Sequence, residues 1–198
     1  MEIRELTYKD EFDLMFQRQG WRDFETKPVY NDPGVIKQRW INPPHSDKKY
    51  SPQAFYDRFG ANTFRKILRA IFTGPRTQEE LENNYGGQKL PKLHEHLNFM
   101  KEQEIVVFED NFWNKAPRYK DVQGIGTTLE WYVAEWFRSS LKAPARHGVT
   151  VKGVADGGDL DVVAFVDGKR IMVECKSGNP ANIPEVQLKL FLTTCRRF

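Results

Sequence analysis

Two carboxylates and a lysine sit around a tight turn between residues 157 and 178. Asp167-Gly168, between two β-rich runs, is a two-residue hairpin signal. Counting outward from it, Val166 faces Lys169, Ala164 faces Ile171, Val162 faces Val173 and Asp161 faces Glu174. The next pair on that face sets Asp159 against Lys176. Alternation then points Asp161, Glu174 and Lys176 from one face, with Cys175 on the other. Opposed Cβ atoms lie roughly 5 Å apart, so Asp161 and Glu174 make a destabilising like-charge pair unless a cation lies between them. Carboxylate oxygens suit the hard ions Mg²⁺ and Mn²⁺. At a wet hairpin end the same acids are merely solvated. Strands that are apolar on both faces argue instead for a buried central pair.

The surrounding elements must hold those groups. Gly124-Ile-Gly126 reads as a hinge, and from Thr127 the chain reads as a helix with Leu129, Tyr132, Val133, Trp136, Phe137 and Leu141 as its buried stripe. Lys142-Ala-Pro144 ends it. Strands follow at 149–151, 161–166 and 170–175, then a helix from about Pro184. The order is helix, strand, strand, strand, helix.

Asp161, then Glu174-Cys-Lys176 after a hairpin, behind a helix carrying Gly126-Thr-Thr-Leu-Glu130, resembles the PD-(D/E)xK nuclease superfamily and its restriction-endonuclease-like fold. The resemblance covers residues 124–198 and implies metal-dependent phosphodiester hydrolysis. It implies that Asp161 and Glu174, with the main-chain carbonyl of Cys175, hold Mg²⁺ or Mn²⁺. Glu130 would complete the site or bind a second metal. Lys176 would orient or help deprotonate the attacking water and stabilise charge on the phosphate. Asp159 and Glu135 compete for lesser parts, Asp159 if the turn is read differently. The resemblance also brings in Gln187, near the scissile phosphate or as a surface amide. Ser177-Gly178 permits close approach of a phosphate backbone. Cys175 reads as a small core side chain pointing away. The superfamily core continues into a fourth strand beside the third, whereas here the sequence stops in helical pattern at residues 193–198. That strand is absent, supplied by another subunit, or part of a longer chain. Exposed Leu190 and Phe191 or Phe198 would then favour a homodimer.

Ahead of this lies a different pattern. Phe64, Ile67, Leu68, Ile71 and Phe72 form one helical face, and Gly74-Pro75 stops it. Thr77-Gln-Glu-Glu80 is a capping box for a second helix ending near Gly86-Gly87. Pro91 starts a third, with Leu93, Leu97 and Met100 as its apolar face. A hairpin turning at 109–111 follows. Three helices and a hairpin are the order of a winged helix-turn-helix, with Lys89, Lys92, His94 and His96 on the groove-facing helix. Glu95, Glu102 and Glu104 weigh against DNA contact there. A winged helix before such a domain is similar to the arrangement in some CRISPR-associated nucleases that also carry a Rossmann domain, of which no pattern is present.

The expected organisation is α+β: an arm over 1–50, a winged-helix module over 51–123, and a nuclease-like α/β domain over 124–198 lacking its last strand. At 39% hydrophobic and 29% charged, the chain has material for real cores. Its 30 Lys+Arg against 27 Asp+Glu leave +3, too little to identify a partner. No apolar run approaches the roughly 20 residues that cross a bilayer, and no C-x-x-C spacing exists for zinc. The expectation is a cytoplasmic metal-dependent nuclease acting on nucleic acid, DNA before RNA. The other reading is a non-catalytic nucleic-acid or protein-binding module on a degenerate nuclease fold. A transcriptional regulator would rest on the winged helix alone.

Overall fold

The computed structural model describes residues 8–18, 24–26, 41, 52–87, 90–151 and 159–197. Lys89, Phe198 and most of the expected arm lie outside these. The fold is α+β and divides into two compact units, one of Tyr30–Thr128 and one of Met1–Val29 with Leu129–Phe198. In chain order the elements are α1 (Tyr8–Arg18), β1 (Phe24–Thr26), α2 (Pro52–Gly60), α3 (Asn62–Thr73), β2 (Arg76–Thr77), α4 (Gln78–Leu81), α5 (Leu90–Glu102), β3 (Val106–Glu109) and β4 (Phe112–Lys115). Then come α6 (Gly126–Leu141), β5 (Ala145–Val151), β6 (Asp159–Val166), β7 (Lys169–Val173) and α7 (Glu185–Arg197). No helix among the described residues is long and apolar enough to cross a membrane.

In the 30–128 unit the apolar spacing does what it predicts. Phe64, Ile67, Leu68, Ile71 and Phe72 of α3 are all buried. Thr77 Oγ1 accepts from the Glu80 N–H at 3.1 Å, and the Glu80 carboxylate accepts from the Thr77 N–H at 2.9 Å. That box opens α4, which runs on as a π-helical turn over Glu82–Gly86. Buried Leu93, Leu97 and Met100 anchor α5, joined by His96 and Phe99. β3 and β4 turn through Asp110 and Asn111, both at positive φ, and β2 adds to β4 to give the order β2-β4-β3.

The second unit is built on an antiparallel sheet of order β1-β5-β6-β7. Its fourth strand, β1, comes from residues that offered no periodicity and pairs beside β5, on the side away from β7. One sheet face packs Val149, Leu160, Val163 and Phe165 against Phe12 and Phe16 of α1. The other packs Ala145, Val162 and Ala164 against Ala134 and Phe137 of α6. The expected stripe on α6 is rotated: Trp136 and Leu141 are 43% and 45% exposed, while Glu130, Trp131, Ala134, Phe137 and Arg138 are buried. A small residue such as Ala134 lets the helix lie close to the sheet, and counting apolar types cannot see that preference.

Candidate functional site

The hairpin register is the one counted from Asp167-Gly168, with Val166↔Lys169, Ala164↔Ile171 and Val162↔Val173. Asp167 and Gly168 both have positive φ, at 49° and 74°, as a type I′ turn requires. The ladder ends at Val162↔Val173, so the two further pairs, Asp161 with Glu174 and Asp159 with Lys176, are not how the site is made. A side chain replaces the ladder: the Cys175 N–H donates to Asp161 Oδ2 at 2.7 Å. Asp161 is thereby tied to the Glu174–Cys175 peptide. β7 is an edge strand and only half buried, unlike the central β6, so the expectation of a buried central pair holds for β6 alone.

A second feature reorients Asp161. The β5–β6 ladder passes from His147↔Val162 to Val149↔Leu160, which places Gly148, at φ 56°, across from Asp161. Ala145 and Val162 face α6, whereas Val149 and Leu160 face α1. Strict alternation would keep 145 with 149, and 160 with 162, on one face. Both strands therefore change face at this crossing, and Asp161 sits on it.

Lys176 Nζ lies 2.5 Å from Glu174 Oε1, and both side chains are about one-third exposed. The Glu174 carboxylate bonded to it, more than any other group, pushes the Lys176 pKa up. Cys175 is partly buried and packs against the α6-facing cluster. Burial first, then the charges of Asp161, Glu130 and Glu174, push its pKa up to about 12. Three carboxylates thus act on one thiol from α6, β6 and the exit of β7. Among the described residues no three His, Cys, Asp or Glu side chains form a metal-holding group. As a set of hard oxygen donors the acids fit Mg²⁺ or Mn²⁺; as placed, Glu174 holds Lys176 and Asp161 holds a backbone amide.

The competing acids are engaged elsewhere. Asp159 pairs across from Thr150 and accepts its hydroxyl at 2.8 Å. Glu135 accepts from Arg138 at 2.6 Å, and Arg138 also donates to the Ala145 carbonyl at 2.7 Å. Ser177 is exposed beside the site, and Gly178 has open space where a Cβ would stand. Lys92 is exposed on α5, in the other unit.

Beside Glu174 and Lys176 opens a cleft of about 330 Å³ between β7 and α7, with Gln187 on its lining. Ile183, Leu188 and Phe191 were not singled out as site residues, yet they line it. Phe191 is partly buried rather than a bare apolar end. The spacing of Gln187 and Phe191, four apart and hence on one helical face, was the signal available for it. Leu190, by contrast, is exposed as expected, at 54%.

Comparison with protein-family models, with curated proteins and with solved structures gives no match.

Proposed function

We propose that the chain is a Mg²⁺- or Mn²⁺-dependent nuclease whose centre is Asp161, Glu174 and Lys176, with Glu130 beside them. The observation that carries this reading is the 2.7 Å bond from the Cys175 N–H to Asp161. It brings an acid from β6 to the peptide that separates an acid from a lysine, in a part-exposed position at the mouth of a cleft. Asp161 and Glu174, with Glu130, would hold the cation. When bound, it polarises the phosphate and lowers the pKa of a water molecule.

The chain's own groups supply the rest. Lys176 is an ammonium whose pKa Glu174 raises further, so it can neutralise negative charge developing on a phosphate oxygen and can hold a water by hydrogen bonding. Asp161 fixes the backbone on which both sit. Gln187 offers a donor and an acceptor at the same cleft.

We read α3, α4, α5 and the β3–β4 hairpin as a winged-helix module that contacts nucleic acid through α5. Two of the acids that weigh against this have cationic neighbours: Glu95 bonds Arg58 at 2.8 Å, and Glu104 lies 3.8 Å from Arg118. Lys92 and His94 are exposed on the same helix.

Incubating the purified protein with Mn²⁺ and labelled DNA and RNA tests the reading. Cleavage lost in Glu174→Ala and Lys176→Ala supports it, and unchanged cleavage in both variants sinks it. The second reading, a non-catalytic binding module, is favoured by the acids not closing into a metal-holding group among the described residues. It predicts binding with no metal-dependent cleavage.

A further inference from the structure

We propose, on the premise that Glu174 and Lys176 belong to a nuclease centre, that the adjoining cleft seats one unstacked nucleobase, so that an unpaired strand is the preferred substrate. At about 330 Å³ the cleft is at the small end of ligand sites, room for one ring system and not for the width of a duplex. Its walls are apolar: Met172 and Val173 from β7, Ile183 from the connecting loop, Leu188 and Phe191 from α7. Among the described residues, the polar side chains on its lining are Glu174, Lys176 and Gln187. A base has the same division, with two apolar faces and a hydrogen-bonding edge. Phe191 offers an aromatic surface for a face. Gln187, four residues before it, offers an amide that can donate to and accept from the edge. With a base seated there, the adjoining phosphate falls to Lys176.

Strandedness follows from the cost of getting the base in. A paired base must first be unstacked and unpaired, whereas a single strand presents its bases without that cost. The preference therefore belongs to the cleft and does not depend on the metal.

Anisotropy with a fluorescein-labelled oligothymidine and a duplex of equal length, without divalent metal, reads this on the full chain. The expected result is single-strand binding roughly tenfold tighter than duplex binding. Phe191→Ala and Gln187→Ala should each cut that preference several-fold, and Phe191→Tyr should keep it. Gln187 is exposed, so its variant reports even where Phe191→Ala fails to fold. Equal affinities, or a preference indifferent to both alanine variants, overturn the inference. The Mn²⁺ assay separates it from its premise. Cleavage indifferent to strandedness defeats the base seat and leaves the nuclease. Single-strand binding that depends on Phe191, without any cleavage, defeats the nuclease and leaves the base seat.

Discussion

Asp161 accepts a hydrogen bond from the backbone N–H of Cys175 at 2.7 Å, and β7 has ended two residues earlier, at Val173. The carboxylate takes the place of the next backbone acceptor in the ladder. That carboxylate therefore has two roles, as the acceptor that ties β6 to the chain leaving β7 and as a charge near the Glu174–Lys176 pair.

Two substitutions separate those roles. Asp161→Asn keeps an oxygen that can accept from Cys175 but removes the charge, so thermal unfolding should barely move while Mn²⁺-dependent cleavage falls by roughly 10²-fold or more. Asp161→Ala removes both and should also cost about 1–2 kcal/mol of stability. Equal melting of the two variants, both well below the parent, would show that the charge itself holds the strand end.

The Cys175 thiol, pushed up to about 12, is almost wholly protonated at pH 8. Alkylation requires the thiolate, so in a Cys195→Ser background iodoacetamide should modify Cys175 on the order of a thousandfold more slowly than a free cysteine. Burial is the first cause and the acids come after it, so Glu174→Gln should speed the reaction only modestly. Rapid labelling of folded protein would contradict the burial of the thiol.

Lys176 has its pKa raised by its bond to Glu174. For a raised group, the contribution is fully present below the ordinary lysine value of about 10.5 and is lost only as the pH rises through the higher folded value. Cleavage should therefore show no alkaline loss attributable to this lysine below about pH 10. In ¹³Cε-lysine NMR, Glu174→Gln should bring its titration down, and an unmoved titration would mean the pair is not formed in solution.

Legibility differed from element to element. The hairpin register could be read because Asp167-Gly168 leaves its neighbours one pairing, and Val166↔Lys169 through Val162↔Val173 follow from it. The end of the ladder could not, since there the Cys175 N–H finds a side-chain acceptor, Asp161, that no strand pattern announces. The α3 face and the Thr77 capping box are local and were legible. β1 joins the sheet by pairing Phe24 with Val151, a partner far away in sequence that no local pattern announces. Trp136 and Leu141 are apolar yet exposed on α6, because residue type does not say which face of a helix meets the sheet. Cys175, small and weakly polar, packs partly buried against the α6-facing cluster. Its electrostatic exposure to three acids depended on where α6 placed Glu130.

His96 gives the α2–α5 helices a pH dependence. It is 2% exposed, edge-on to Phe64 at 5.3 Å, and neither ring nitrogen has a hydrogen-bond partner among the described residues. Burial first, then Arg58 and more weakly Lys92, lower its pKa, against an opposing pull from Glu95. A lowered histidine is neutral in the fold, so its contribution is intact above about pH 6.5 and is lost as the pH falls below that value. Urea unfolding at pH 7 and pH 5 should show the loss, and His96→Leu should flatten it. An equally steep pH dependence in that variant would place the titrating group elsewhere.

Gly148 and Gly168 both take positive φ, at 56° and 74°, but only Gly148 lies across from Asp161. An alanine at either position meets the left-handed penalty, about 1 kcal/mol. At Gly168 nothing lies within 4 Å of an added Cβ, so the cost there is conformational alone and falls on a turn remote from the chemistry. At Gly148 the same strain acts where β5 and β6 exchange faces, and relaxing it toward a regular strand would turn Asp161 with it. Gly148→Ala and Gly168→Ala, with the stability of each measured by urea unfolding, should therefore differ in Mn²⁺-dependent cleavage. Gly148→Ala should fall roughly tenfold or more, because small misplacements of a metal-holding acid are expensive, and Gly168→Ala should stay near the parent. Matching activities at matched stability would mean that the face change at 148 and 161 serves packing alone.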